Sequence, residues 1–546
     1  MGTDSLDRRD LFRLGVTAGV TALASGPLAG CHPSAAPQSP GAAVPARVPS
    51  QDLVEVSIAE LQKRMASGAE TCVGLVAKYR ARIEATNEVG PKLRCVLELD
   101  PDAEAIARKL DAERAAGKLR GPLHGIPMLV KDNLDTGDRM TTTAGSMALA
   151  GTRAKQDSFV VAKLRAAGAI ILGKANLSEW ANIRGSASTS GWSARGGQCR
   201  NPYALDRSPS GSSSGSGAAT AASLCAASIG TETDGSITSP ASCTALVGLK
   251  PTVGLVSRSG IIPISSTQDT AGPMTRTVSD AAIVLTAIAG PDPADAATAG
   301  AKPEDYTKYL DPDALRGARI GVPRTGWFGL NRYMDQIGEA AILELKKLGA
   351  VIIDPIDLPQ PPELGPAELD VLLYELKATL ADYLRGRGSD VKVRTLADVI
   401  AFNEAHASEE LALFGQESFV KAQTKGPLTE KAYLDARATC QKLARTEGID
   451  KAMDAHKLDA IFAVTGSPPW LIDPVNGDAF GPSASTLPAV AGYPHITVPA
   501  GQVRGLPMGI SLFGRAFTEG KLLGYAFAYE QATKLRKPPV FSPSAA

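Results

Sequence analysis

With 546 residues, 44% of them hydrophobic and 21% charged, the chain has ample material for a core, which excludes a largely disordered polymer. Its 57 basic residues balance 57 acidic ones, which argues against a counterion-releasing nucleic-acid surface or a polybasic membrane patch and favours a neutral or mixed substrate. The length admits one large α/β domain or two.

Residues 1–31 read as a targeting segment. Arg8 and Arg9 in DRRDLFRLG, followed by the weakly apolar GVTAGVTALASGPLAG, resemble a twin-arginine export signal, and Leu28, Ala29, Gly30 and Cys31 resemble a lipobox. Together they predict an exported protein, periplasmic or at the cell surface, with Cys31 as a lipid anchor that tethers it to a membrane. A cleaved, unlipidated signal is the alternative. Residues 32–50, rich in Pro, Ala and Ser, predict a flexible linker, which leaves 51–540 as the folded domain. The six later cysteines, Cys72, Cys95, Cys199, Cys225, Cys243 and Cys440, show no CxxC spacing. Zinc is therefore not indicated, and buried free thiols are the simpler reading.

Ser57 and Glu60 form a capping-box pattern opening a helix over SIAELQKRMASG, and TCVGLVAKYRARIEATN continues with helical spacing. In GPLHGIPMLVKDN a Gly/Pro turn precedes the short apolar run IPMLV, which predicts a buried strand with Lys131 at its end. Short strands followed by helical segments recur at AIILGKANLSEW, ARIGVPR, AVIIDPIDLP, LDAIFAVTGSPP, HITVPAG and GISLFG. That alternation predicts an α/β fold with a largely parallel or mixed sheet covered by helices on both faces. Between about 365 and 450 the pattern turns to long helices, read as a helical insertion beside the active site.

Two segments could carry chemistry. SPSGSSSGSG, Ser208 to Gly217, has the composition of a linker, yet it feeds straight into the apolar stretch AATAASLCAASIG, read as a helix. A Gly/Ser loop entering a helix presents N–H groups to whatever lies in front. TETDGS, Thr231 to Ser236, is a tight turn that either lies on the surface or delivers Ser236 to a site. A serine nucleophile needs a base. The histidines His32, His124, His406, His456 and His495 fall in no recognisable triad or metal motif. A lysine serves as base if burial renders it neutral, and Lys131 at a strand end is so placed.

GPLHGIPMLVKDN, SPSGSSSGSGAATAASLCAASIGTETDGSITSPAS and LVGLKPTVGLVSRSGIIP, in that order, resemble the amidase signature family. SEWANIRG, GWSARGGQCRNPY, STQDTAGPM and AGYPHITVPAGQVRGLPMGISLFG extend the likeness over roughly 51–540, closest to the peptide amidase branch. The resemblance implies the amidase signature fold, a large mixed twisted β-sheet covered by helices on both faces. It implies Ser236 as the acylated nucleophile, Ser212, 24 positions earlier, as a bridging serine after a cis peptide bond, and Lys131 as the base. Backbone N–H groups of Thr233, Asp234, Gly235 and Ser236 would form the oxyanion hole. The implied reaction cleaves carboxamide C–N bonds, foremost C-terminal amides of peptides or amino-acid amides, with release of ammonia. The substrate is then a small-molecule or peptide amide, with no metal and no organic cofactor. The chain departs from the common family pattern at Ser214 and Asp234, where many members have Gly, and at Glu232, where Asp is usual; the TETDGS form is shared with the peptide amidase branch.

The alternatives are another amidase of the family, such as an aryl or aliphatic amide hydrolase or an amidotransferase A-type subunit, and an α/β-hydrolase using Ser213 of GSSSG with His495. A lipid-anchored, non-catalytic binding protein on this scaffold is a further one.

Overall fold

The computed structural model describes residues 51–546, so the targeting segment, the linker and Cys31 lie outside the described residues. The strands are β1 (Val96–Leu99), β2 (Pro127–Lys131), β3 (Ile170–Ala175), β4 (Trp192–Ser193), β5 (Gly197–Gln198), β6 (Ala227–Glu232), β7 (Val247–Lys250), β8 (Thr270–Thr275), β9 (Arg319–Pro323), β10 (Val351–Ile356), β11 (Ala460–Val464), β12 (His495–Val503) and β13 (Leu506–Phe513). Eleven of them make one sheet in the order β1-β3-β2-β6-β8-β7-β12-β13-β11-β9-β10, while β4 and β5 pair as a small ribbon. The sheet is mixed, as the alternating pattern predicts: β3, β2 and β6 run parallel, β8 returns antiparallel to β6, and β9 lies parallel to β10 and β11.

Every residue of β2, β3, β6, β7, β8, β11 and β13 is buried. A strand with no exposed side is covered on both faces, which is why these segments read as continuous apolar or small-residue runs rather than alternating ones. Leu129, Ile171, Ile229, Val284, Ile320, Ile510 and Leu523 belong to one contiguous core. At the edge, β10 is largely exposed.

Local signals act as their chemistry dictates. Ser57 caps the helix Ile58–Ala66 by accepting the Glu60 N–H at 3.3 Å. The stretch AATAASLCAASIG is not one helix. The helix Ser214–Ala221 ends, the chain turns through Ser223 at φ 55, and Ala227–Glu232 becomes β6. Small residues have no strong period, so pairing between β2 and β8 decides the matter rather than local preference. Between β10 and β11 the described chain contains no strand, and its long helix Leu364–Gly386 sets Glu368, Leu372, Glu375 and Thr379 at helical spacing along one side.

Parallel β2 and β6 end side by side, with Val130 opposite Ile229, so Lys131 and the segment after Thr231 emerge together at the carboxyl ends of the strands. Open α/β sheets bind ligands there. The helix that begins at Ser214 presses against the end of β3. A Cβ on Gly215 would stand 2.4 Å from the Cys95 carbonyl oxygen and 2.5 Å from the Asn176 nitrogen and oxygen. Backbone cannot yield to such a clash as a flexible side chain does, so Gly215→Ala should cost about 1–3 kcal/mol or more, read as a lower urea midpoint at unchanged m-value.

Candidate active site

Lys131 is fully buried, and its amine donates to Ser212 Oγ at 2.8 Å, to Thr231 Oγ1 at 2.8 Å and to the Thr231 carbonyl at 3.2 Å. Asn133 Nδ2 donates to the same Thr231 hydroxyl at 3.0 Å. Among the described residues no carboxylate forms an ion pair with Lys131. Burial lowers its pKa to about 7, against the opposing pull of the more distant Asp269 and Glu232. The amine is thus poised between its charged and neutral forms near neutrality, with a serine hydroxyl in direct contact.

Ser212 lies in the loop before the helix Ser214–Ala221, and the Gly211–Ser212 peptide bond is cis. The loop is held by its own serines and by Ser178. Ser212 O accepts the Ser178 N–H at 3.0 Å, Ser214 Oγ donates to the Ser210 carbonyl at 2.7 Å, and Ser210 Oγ meets Ser239 Oγ at 2.8 Å. Ser214, a departure from the family's Gly, is therefore a structural tie. Ser213 turns inward: its Oγ donates to the Thr231 carbonyl at 3.1 Å and accepts the Thr231 N–H at 3.2 Å. That hydroxyl is committed to β6, and His495 contacts Ser511 Oγ at 2.5 Å on β13, its pKa driven to about 3 by burial. The α/β-hydrolase alternative built on Ser213 and His495 is overturned.

Ser236 follows the turn out of β6. The Ser213 N–H donates to its carbonyl at 3.2 Å, which binds the two segments together, while its own hydroxyl makes no hydrogen bond among the described residues and lines a cavity of 320 Å³. The structure so unites Lys131 with Ser212 directly, and Ser236 with the Ser212 loop through the backbone. Gly235 turns at φ 75, and a Cβ there would stand 2.9 Å from Ser485 Oγ.

The turn is clamped at several points. Glu232 Oε2 accepts the N–H groups of Ile237 at 2.7 Å and Thr238 at 2.9 Å, so this second departure caps the helix Thr238–Cys243 from below. Thr233 Oγ1 donates to Asp269 at 2.6 Å, and Gln268 Nε2 donates to the Thr233 carbonyl at 3.3 Å. Asp234 accepts from Thr486 Oγ1 at 2.8 Å. Burial raises the Asp234 carboxyl, and burial together with the negative charge of Asp234 holds Glu368 well above the usual range. Sequence reasoning missed Thr231, Asp269, Gln268, Glu368, Ser485 and Thr486 as site residues. Gln268 and Asp269 fall within STQDTAGPM, which was legible only as family likeness.

The cavity is also walled by Ala181, Asn182 and Ile183, by Leu372 of the long helix, and by Trp470 and Phe480. Cys72, Cys95, Cys199, Cys225, Cys243 and Cys440 are buried and unpaired. Among the described residues no group of His, Cys, Asp or Glu is placed to hold a metal ion.

A family model described as Amidase matches residues 75–523. A probable amidase of Arabidopsis thaliana is 42% identical over 499 residues, covering 89% of this chain and 91% of its own. The A-type chain of the glutamyl-tRNA(Gln) amidotransferase of Chloroflexus aurantiacus is 36% identical over 494 residues, covering 88% of this chain and 98% of its own. The crystal structure of native peptide amidase from Stenotrophomonas maltophilia superposes with a TM-score of 0.86 at 52% identity, covering 90% of this chain and 100% of that one.

These likenesses correct the expectation of an exported protein tethered to a membrane through Cys31. They are carried by the enzyme body, run to a plant amidase as to a bacterial one, and give export and lipid anchoring no support. Among the described residues no helix is long and apolar enough to cross a membrane. With a family match over most of its length and an amidase-type sheet beneath the site, the chain belongs to the amidase signature family and is an enzyme that hydrolyses amide C–N bonds.

Proposed function

We propose that the chain hydrolyses C-terminal carboxamides of peptides and related amino-acid amides, releasing ammonia, with Ser236 as nucleophile, Ser212 as relay and Lys131 as base. The contact that carries this reading is the 2.8 Å hydrogen bond between the buried amine of Lys131 and Ser212 Oγ. An ammonium without a counter-ion in a dry setting sheds its proton readily, and a neutral amine beside a hydroxyl is an acceptor.

In the first half-reaction Ser236 Oγ attacks the amide carbon as its proton passes to Ser212, whose own proton passes to Lys131. The oxyanion forms in front of the turn from Thr233 to Ser236, where the N–H groups of Gly235 and Ser236 make no hydrogen bond among the described residues. Collapse breaks the C–N bond, and the proton returns through Ser212 to the departing nitrogen. Water then attacks the acyl-enzyme by the same relay, giving a carboxylic acid and free Ser236. The specific choice of peptide amides is supported by kinship to the Stenotrophomonas enzyme, which is named a peptide amidase and matches over its whole length. A second reading, as the A-type chain of an amidotransferase acting on charged tRNA, is favoured by the likeness to the Chloroflexus protein; it predicts no ammonia release from peptide amides by the chain alone.

Incubating the purified protein with peptide amides and with the matching free acids, and assaying ammonia, should show release from the amides alone. Absence of release from every amide sinks the reading. Ser236→Ala and Lys131→Ala should each lower kcat/KM by roughly three orders of magnitude or more, and the double variant by little beyond that, because the members act as a unit. The reactive form of Lys131 is the neutral one, so kcat/KM should rise with pH through about 7, the value to which burial brings the amine. A flat profile from pH 5 to 9 contradicts the assignment of the base.

A further inference from the structure

A second cavity, of 370 Å³, adjoins the first: Ala181, Thr233 and Ile264 line both. Ile261, Ile262, Pro263 and Ile264 form an aliphatic stretch of its wall, Thr379, Asp382 and Tyr383 of the helix Leu364–Gly386 also line it, and the charged Arg258, Asp269 and Asp295 lie there too, with Arg258 paired to Asp295 at 2.8 Å. The triad chemistry makes no use of it.

The pocket is preformed. Ile262 N–H donates to the Asn133 carbonyl at 2.8 Å and Ile264 N–H to Asp269 at 2.8 Å, so the aliphatic loop is tied to the segment after β2 and to the start of β8. Glu375 accepts from Ser265 Oγ at 2.5 Å and from the Thr267 N–H at 3.1 Å, which fastens the same loop to the helix. The partition is equally deliberate. Trp180, Ala181 and Asn182 have φ of 49°, 52° and 73°, a left-handed run that L residues adopt only where their surroundings enforce it. Ala181 of this run lines both spaces, as do Thr233 and Ile264.

A substrate whose carboxamide lies at Ser236 carries two further groups on the neighbouring carbon, its side chain and its backbone nitrogen. Two contiguous spaces meeting at Thr233, three residues before Ser236, match that branching. The first gathers serines with Asn182 and Asp234 next to Ser236, groups suited to peptide N–H and C=O, whereas the second offers the aliphatic stretch Ile261–Ile264 among residues whose polar groups are largely engaged with one another, as Arg258 is with Asp295 and Asp269 with Thr233. We propose that the second cavity is the subsite for the side chain of the residue bearing the carboxamide, and that it selects a large apolar side chain, aromatic or branched aliphatic. This rests on the amide-hydrolysing reading above. The apolar wall supplies the discrimination, since each group buried there and left unfilled by a smaller substrate is lost binding.

The test compares kcat/KM for two dipeptide amides that differ only in ending with phenylalanine amide or glycine amide. The unaltered protein should favour the phenylalanine amide roughly tenfold or more. Thr379→Trp, on the helical side of the cavity, fills the space and should reduce that ratio roughly tenfold or more, while Thr379→Ala should preserve it. A preference for the glycine amide in the unaltered protein overturns the proposal. So does an unchanged ratio in a Thr379→Trp variant that melts as the parent does, because a merely structural disturbance slows both substrates in proportion. Failure to cleave either amide, or any other, removes the hydrolase reading and this inference with it, and is told apart by the absence of ammonia altogether.

Discussion

Lys131 is stripped of water at the end of β2 and faces hydroxyls and a carbonyl where a buried cation ordinarily meets a carboxylate. Burying an unpaired ammonium is costly enough that the group lowers its pKa instead. Asp269 and Glu232 favour the charged form, but both carboxylates are occupied elsewhere, Asp269 with Thr233 and Glu232 with the N–H groups of Ile237 and Thr238. Were either turned onto the amine, the charged form would be favoured and Lys131 could not act as the proposed base.

The same carboxylates that avoid Lys131 shape the turn that carries Ser236. Glu232 caps the short helix behind it, Asp269 holds Thr233, and Thr486 holds Asp234. Residues from β6, from the loop before β8 and from the segment before β12 thus hold Thr233, Asp234, Ile237 and Thr238, on either side of Ser236. Donors aimed at a developing oxyanion are effective only if they need not reorganise when charge appears, and the clamped turn meets that condition for the oxyanion role proposed for it. Asp234, which reads in the sequence as an acidic residue in the turn, is tethered through Thr486 Oγ1 at 2.8 Å, and burial raises its pKa.

Kinship and geometry bear on different questions. The family match and the superposition with peptide amidase establish the fold and amide hydrolysis as the chemistry. They leave open which groups of a substrate are read, a question on which the residues lining the two adjoining cavities bear: Ala181 and Asn182 of the left-handed run, and Leu372 and Thr379 of the long helix. The helix reaches the site from far along the chain, and its buried Glu375 fixes the aliphatic loop as well.

The strands β2, β3, β9 to β13 and the strand-end position of Lys131 were legible in the sequence, because each is a short, largely apolar run bounded by turn signals, and such runs are visible without neighbours. The motifs around Ser212 and Ser236 were legible as well, since a Gly/Ser loop and an Asp-Gly turn are local chemistry. Beyond reach were β6, hidden in a run of small residues that local preference reads as helix, and the partners Thr231, Gln268, Asp269, Glu368 and Thr486. Each of these acts across a distance in the chain that no periodicity spans, so only folding shows that Glu368 accepts from Gln268 or that Ser213 spends its hydroxyl on β6. The amino-terminal signals resembled an export and lipid-anchor address, which the family likeness does not uphold. Sequence by itself determined seven strands of the sheet, the order of the motifs and the place of Lys131 at a strand end, because these depend on local composition; the tertiary structure alone decided that this amine is buried, unpaired by any carboxylate among the described residues and in contact with Ser212, because desolvation and proximity are properties of packed neighbours.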